Sequence, residues 1–184
     1  MSERRKTDLR VRRLTYAGLY LALAMVLPFL TGQIPQIGSA LSPMHIPVLL
    51  CGFMCGWPWG LAVGLTAPLL RSVTFGMPAI FPQAVAMSAE LATYGALSGI
   101  LHRTMPRKPW SVYVTLILSM IAGRVVWGFM RYVLAGLSGT TFTFAAFMAG
   151  AVTQAVPGII LHVVLVPILV LAMDRVGLSL NRKA

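Results

Sequence analysis

Apolar residues gather into six stretches along the chain, divided by short polar or Gly/Pro-rich breaks: Leu14–Leu30, Met44–Cys55, Gly60–Val73, Phe81–Leu101, Trp110–Leu134 and Phe142–Met173. The first is an uncharged run long enough to cross a bilayer as a helix. Its end is marked by Pro28 and the polar Gly32–Pro43 segment. The second is short, with Pro47 in its first turn, where a missing N–H does little harm. Gly56–Gly60 reads as a tight turn, Thr74–Pro78 as a polar break, His102–Pro109 as a basic loop and Ala135–Thr141 as a Gly/Ser/Thr loop. The last stretch is too long for one straight crossing, and Pro157 and Pro167 are expected to kink it. The pattern predicts an all-α integral membrane protein, a bundle of six transmembrane helices. The basic start, apolar run and Ala22-Leu23-Ala24 of the first stretch also fit a secretory signal, but the spans that follow favour an uncleaved first helix.

Composition supports a bilayer as solvent. Of 184 residues, 58% are hydrophobic and 10% charged, and the mean hydropathy is +0.82. A soluble domain carries about 25% charged residues, so too little polar surface is present to cover a water-facing globule. The reading is one membrane domain over 14–174, a basic cytoplasmic segment over 1–13 and a cytoplasmic tail over 175–184. The net charge of +11 does not indicate nucleic acid, because it flanks the apolar runs. Arg4, Arg5, Lys6, Arg10, Arg12 and Arg13 precede the first, Arg103, Arg107 and Lys108 share one loop, and Arg175, Arg182 and Lys183 close the chain. With six crossings all three groups fall inside, while the 31–43, 74–80 and 135–141 loops, which lack Lys and Arg, fall outside, as the positive-inside rule requires. The location implied is a bacterial plasma membrane.

Four charges interrupt the apolar pattern: Arg71, Glu90, Arg124 and Arg131. A charge in hydrocarbon is costly and usually faces a partner, a cavity or a ligand. The topology places the three arginines in the outer half, with Glu90 somewhat deeper. The spacing of seven sets Arg124 and Arg131 on one helix face, with Trp127 between them, and Glu90 shares a face with Gln83, Met87 and Tyr94. An internal salt bridge from Glu90 to Arg124 or Arg131 is the structural reading. Three arginines then meet one glutamate. At least one outer-half cation then lacks a protein anion, and it either snorkels to lipid phosphate, which suits Arg71 best, or awaits an anionic ligand, since a guanidinium binds a carboxylate bidentately.

Other chemistry has less support. His45 and His162 read as hydrogen-bonded structural residues, Cys51 and Cys55 as apolar packing residues, and nothing clusters as a metal site. Neither a Gly-x-Ser-x-Gly elbow, a His-Glu-x-x-His pair nor a Walker loop is present, so no catalytic residue and no cofactor is expected. Any ATP-driven step needs partner subunits. The small-xxx-small pairs Gly18/Ala22, Gly52/Gly56, Gly60/Gly64 and Gly95/Gly99 allow close helix approach.

The segment from Pro43 through Pro47 to Phe53, with Gly60-Leu61-Ala62-Val63-Gly64, Pro68-Leu69-Leu70-Arg71-Ser72 and Phe75-Gly76-Met77-Pro78, resembles the substrate-binding S components of energy-coupling factor (ECF) vitamin transporters. So do the length, the six spans and the basic N-terminus. The resemblance implies high-affinity capture of a vitamin or related micronutrient from outside. It also implies docking on a membrane coupling subunit that carries two ATPases, and toppling to release the ligand. An Ala-x-x-x-Ala motif on the first helix contacts the coupling subunit in such proteins. Here the matching residues are Gly18 and Ala22, with Gly replacing the first Ala. Family ligand sites use the outer halves of helices four to six and the outer loops. Substrate contact is therefore expected from Arg71, Phe75, Glu90, Tyr94, Arg124, Trp127, Arg131 and Gln154. The arginine surplus favours an anion such as pantothenate or niacin. Phe75, Phe81, Tyr94 and Trp127 would equally stack on a pyrimidine, pyridine or folate-like ring. The alternative is a self-sufficient secondary transporter or channel, against which the small size and the lack of a visible inverted repeat count.

Overall fold

A computed structural model describes residues 3–31, 40–106 and 108–181 of the protein, and among these no strand occurs. The first helix, α1 (Glu3–Val26), passes into a 3-10 turn over Leu27–Thr31. Next come α2 (His45–Cys55) and α3 (Trp57–Phe75), then a π-helical turn, Ile80–Ala84, that leads into α4 (Val85–Thr104). The chain continues through α5 (Pro109–Leu137), the short α6 (Phe144–Met148), a second π-helical turn over Ala149–Thr153, and α7 (Val156–Arg175). All six apolar stretches are thus helical. Most of the polar Gly32–Pro43 segment lies outside the described residues, as do Arg107, Arg182 and Lys183.

Local chemistry explains where the helices differ from the hydropathy pattern. The basic segment does not precede α1 but forms its first turns, because nothing between Glu3 and Arg13 breaks a helix and Arg and Lys are good helix formers. The break between α2 and α3 is a single residue, Gly56, at φ 97, a conformation glycine adopts without steric cost. Pro58 then falls in the first turn of α3, where its ring is tolerated. Gly76 closes α3 as a left-handed C-cap, its N–H donating to the Ser72 carbonyl. The last stretch is broken rather than kinked at two prolines. It stops at Thr153 and restarts at Val156, so Pro157 sits in the first turn of α7, while Pro167 stays inside that helix.

Among the described residues, four segments are long and apolar enough to cross a bilayer: Thr7–Leu30, Ile80–Thr104, Pro109–Leu137 and Phe144–Arg175. With its 11 residues, α2 rises only about 17 Å. Every one of its residues is buried, so it fills the centre of the bundle while the longer helices meet the lipid. Ala17, Tyr20 and Ala24 of α1, Val63 and Ala67 of α3, Leu91 and Tyr94 of α4, Leu116 of α5 and Val166 of α7 close around it. The result is an all-α membrane bundle.

Glycines set how closely the central helices approach. A Cβ on Gly60 would strike the Gly95 carbonyl, one on Gly95 the Gly60 backbone, and one on Gly64 the Leu91 backbone. A Cβ on Gly99 would meet the start of α3 at Trp57. Gly52, Gly60, Gly64, Gly95 and Gly99 therefore form one internal seam between α2, α3 and α4. The remaining small pair is different: Gly18 has nothing within 4 Å of a built Cβ, and both Gly18 and Ala22 are exposed. Arg13 near the start of α1 bonds Leu180 beyond α7, which defines a terminal end of the bundle. The opposite, far end carries Phe29, Phe75 and the α5–α6 connection.

Candidate functional site

Four helices bring polar side chains together inside the bundle. Glu90 on α4 is 1% exposed. One turn along, Tyr94 donates its hydroxyl to Glu90 Oε1 at 2.9 Å. Arg124 of α5 places Nη1 at 3.1 Å from the same oxygen. His45, the first residue of α2, brings Nε2 to 3.6 Å. The His45 ring tilts against Tyr94 at 5.4 Å and stacks on His162 of α7 at 5.8 Å between centroids. His162 Nε2 in turn lies 3.3 Å from the Ser42 carbonyl. Gly123 makes this convergence possible: a Cβ there would strike the Tyr94 ring, so only glycine lets α4 and α5 close enough for Arg124 to reach Glu90.

This cluster has donor capacity left over. Arg124 Nε and His45 Nδ1 are buried with no hydrogen-bond partner among the described residues, while His45 Nε2 faces Glu90. In hydrocarbon no water is available to compensate such groups, and each costs several kcal/mol. A cavity of about 300 Å³ opens beside Arg124 between α5 and the last span. Ile117, Met120, Ile121, Val125, Ile159 and Val163 line it, with Arg124 as its one charged wall residue.

Toward the far end, the same face of α5 carries Trp127 and Arg131. Trp127 is 8% exposed and packs against Phe142 at 6.0 Å and Phe147 at 6.4 Å. Gly128 leaves the space that Phe147 occupies, and Gly150 lies against the Trp127 ring. Arg131 directs Nη1 toward Gln83 Oε1 at 3.5 Å and sits 5.6 Å above the Phe142 ring. Its Nε is buried without a partner, and no carboxylate pairs with it among the described residues. Two arginines, Arg71 and Arg131, are thus left without a carboxylate among the described residues, and of these Arg131 is the one with a buried nitrogen that has no partner.

Arg71 is placed differently from expectation. It does not snorkel: it is 4% exposed and donates Nη1 to the Met25 carbonyl at 2.6 Å. Phe29 and Phe75 cover the guanidinium at 5.0 and 5.2 Å and meet each other edge to face. Helix ends leave carbonyls unpaired, and Arg71 satisfies one at the end of α1. Its hydrogen-bond and ring contacts, and those of Phe75, lie between α3 and that end of α1, apart from the Glu90 cluster. Gln154 is exposed in the break before α7.

The structure thus joins Glu90, Tyr94 and Arg124, sets Trp127 and Arg131 one step further out, gives Arg71 and Phe75 their contacts at the end of α1, and leaves Gln154 exposed. It adds His45 and His162, which the sequence reading left as scattered structural residues. No spacing along the chain links positions 45, 90 and 162; only the tertiary fold does. No group of three or more His, Cys, Asp or Glu that could hold a metal occurs among the described residues. The arrangement suits noncovalent capture of a small molecule rich in hydrogen-bond acceptors.

Comparison with known proteins gives one family. The model described as "ECF transporter, substrate-specific component" matches residues 12–170. No curated protein and no solved structure matches the chain.

Proposed function

The chain belongs to the family of substrate-specific components of ECF transporters, and on that premise we propose that it captures a small anionic, vitamin-like molecule between Arg131, Trp127 and Arg124. Proteins of this family are transport subunits, not enzymes. The observation that carries the proposal is the Arg131 guanidinium, buried at Nε and without a carboxylate partner. A ligand carboxylate supplies what the protein lacks, in the bidentate geometry that guanidinium favours. The second arginine stands seven residues away on the same face, about 10 Å along the helix axis, with Trp127 between as a flat platform. A ligand with an acidic end, a flat or compact body and a second acceptor spans that interval. Pantothenate and niacin are the two vitamins of this chemistry to try first.

In this reading the far end faces the cell exterior, and the terminal end, rich in arginine, faces the cytoplasm of a bacterial cell. Release depends on an ECF membrane coupling subunit with two ATPases, because the chain has no nucleotide-binding loop of its own. The exposed Gly18/Ala22 face of α1 is the docking surface, since it is the small-residue pair that the bundle does not use internally.

Calorimetry on the purified protein with a panel of vitamins tests the proposal. One ligand is expected to bind with sub-micromolar affinity, and Arg131→Gln to weaken it by more than tenfold, or about 1.4 kcal/mol. Binding of no vitamin, together with failure to co-purify with coupling subunits, would overturn it.

A further inference from the structure

Beyond α7 the described residues, to Asn181, stay on the bundle. The chain turns at Gly177, where φ is 75, and runs back across the terminal end. The Leu180 N–H donates to the Met54 carbonyl at 2.8 Å. The Leu180 carbonyl accepts from Arg13 Nη2 at 2.6 Å. Asn181 is 7% exposed, and its Nδ2 donates to the Gly99 carbonyl at 2.9 Å and lies 3.4 Å from that of Gly52. Its Oδ1 approaches Gly56, the single-residue turn between α2 and α3. Beside this strap, His102 of α4 and Asp174 of α7 stand 3.7 Å apart, with the His102 ring edge-on to Phe53 of α2.

The strap answers a local need. Because α2 stops at Cys55, the carbonyls of its last turn have no intrahelical partners, and buried backbone acceptors are rarely left unpaired. Leu180 satisfies one of them, at Met54. In doing so it brings its own carbonyl under Arg13, and so one short segment ties α1 to α2 and α4. Helix α1 packs on the bundle by the face that carries Ala17, Tyr20 and Ala24, while Val11, Leu14 and Leu19 stay exposed. Arg13 is five residues, about 7.5 Å along the helix, from Gly18.

We infer that residues 177–181 form a clasp that holds the terminal half of α1 in place and so presents its Gly18/Ala22 face in one posture for the coupling subunit. Small-residue docking depends on close backbone approach, and a change in helix tilt separates the backbones. The docking half of this inference rests on the function proposed above; the clasp itself does not. Arg13 and Asn181 are positioning residues.

Asn181→Asp is the sharpest variant. It keeps the shape but sets a carboxylate oxygen against two carbonyl oxygens, with no proton to donate. Arg13→Gln removes the charge and leaves an amide donor two bonds shorter than Nη2, which does not reach the Leu180 carbonyl, and Arg13→Lys keeps a charged donor of nearly the same reach. In the full chain, Asn181→Asp and Arg13→Gln are expected to speed amide exchange over 177–181 by about tenfold, the signature of local opening. Co-purification with a co-expressed ECF coupling module should fall by about fivefold, with the detergent melting temperature within a few degrees of wild type and Arg13→Lys close to wild type in all three. Unchanged exchange overturns the clasp. Faster exchange with undiminished assembly overturns its role in docking. If the wild-type chain recovers no coupling subunit, the docking surface itself fails, and exchange alone then decides whether the strap holds α1.

Discussion

Arg124 and Glu90 meet at 3.1 Å across the α4–α5 contact, and Tyr94 donates to the same carboxylate oxygen. Glu90 is 1% exposed. Removing one partner of a buried pair leaves an uncompensated charge, which costs about 3–5 kcal/mol. Glu90→Gln is therefore expected to destabilise the ligand-free protein by that order. Adding Arg124→Gln should restore part of the loss, because the two sites are coupled. Thermal unfolding of the two single variants and the double variant in detergent measures the coupling. Strict additivity would mean that the pair does not stabilise the bundle.

Arg131 predicts the opposite division. It has no carboxylate to abandon, so Arg131→Gln should change the melting temperature little while costing the ligand more than tenfold in affinity, or about 1.4 kcal/mol. Calorimetry and thermal unfolding on the same preparation separate the two effects. A large stability loss with unchanged affinity would place Arg131 among the structural residues.

Arg71 is expected to matter for the fold and not for the ligand. Arg71→Met loses a charged hydrogen bond to the Met25 carbonyl, worth about 1.5–3 kcal/mol. It also loses contacts with two aromatic faces, each worth from about 0.5 kcal/mol at an exposed site to about 2 kcal/mol when desolvated. The variant should unfold at lower temperature and bind the ligand as wild type does. A loss of affinity as large as that of Arg131→Gln would extend the binding site to the α1–α3 edge.

The glycines separate packing from docking. Gly95→Ala drives a Cβ into the Gly60 backbone, and backbone cannot move aside as a side chain can, so expression of folded protein should collapse. A Cβ on Gly18 meets nothing within 4 Å, so Gly18→Leu should leave both stability and ligand affinity unchanged while impairing recovery of the coupling subunit. Size-exclusion profiles and pull-down yields of the two variants give the contrast. Equal loss of folded protein in both would remove the distinction between an inner and an outer face.

Hydropathy and charge alone determined that this is an all-α membrane protein, because lipid admits only helices or closed barrels, and its apolar runs are long and continuous rather than the short alternating segments of a barrel. They also located the six helical stretches, though α1 begins eleven residues before its apolar run, at Glu3, and singled out Arg71, Glu90, Arg124 and Arg131 as costly enough to need partners. The spacing of Glu90 and Tyr94, and of Arg124, Trp127 and Arg131, was legible for the same reason: residues on one helix share a face by periodicity.

Pairing between helices was not legible. Which arginine takes Glu90 depends on Gly123 leaving room for the Tyr94 ring, and glycine next to arginine carries no such message in a sequence. That Arg71 turns inward depends on α1 ending within reach of α3, and that His45 meets Glu90 and His162 depends on three helices converging from distant parts of the chain. The strap that returns to Met54 and Gly99 was read as a plain tail, because its polar residues look alike whether they face water or carbonyl groups. The sequence sets the cost of each buried charge and which residues share a helix face. Only the tertiary structure decides which groups offset that cost, because offsetting it requires atoms from different helices within about 3 Å of one another.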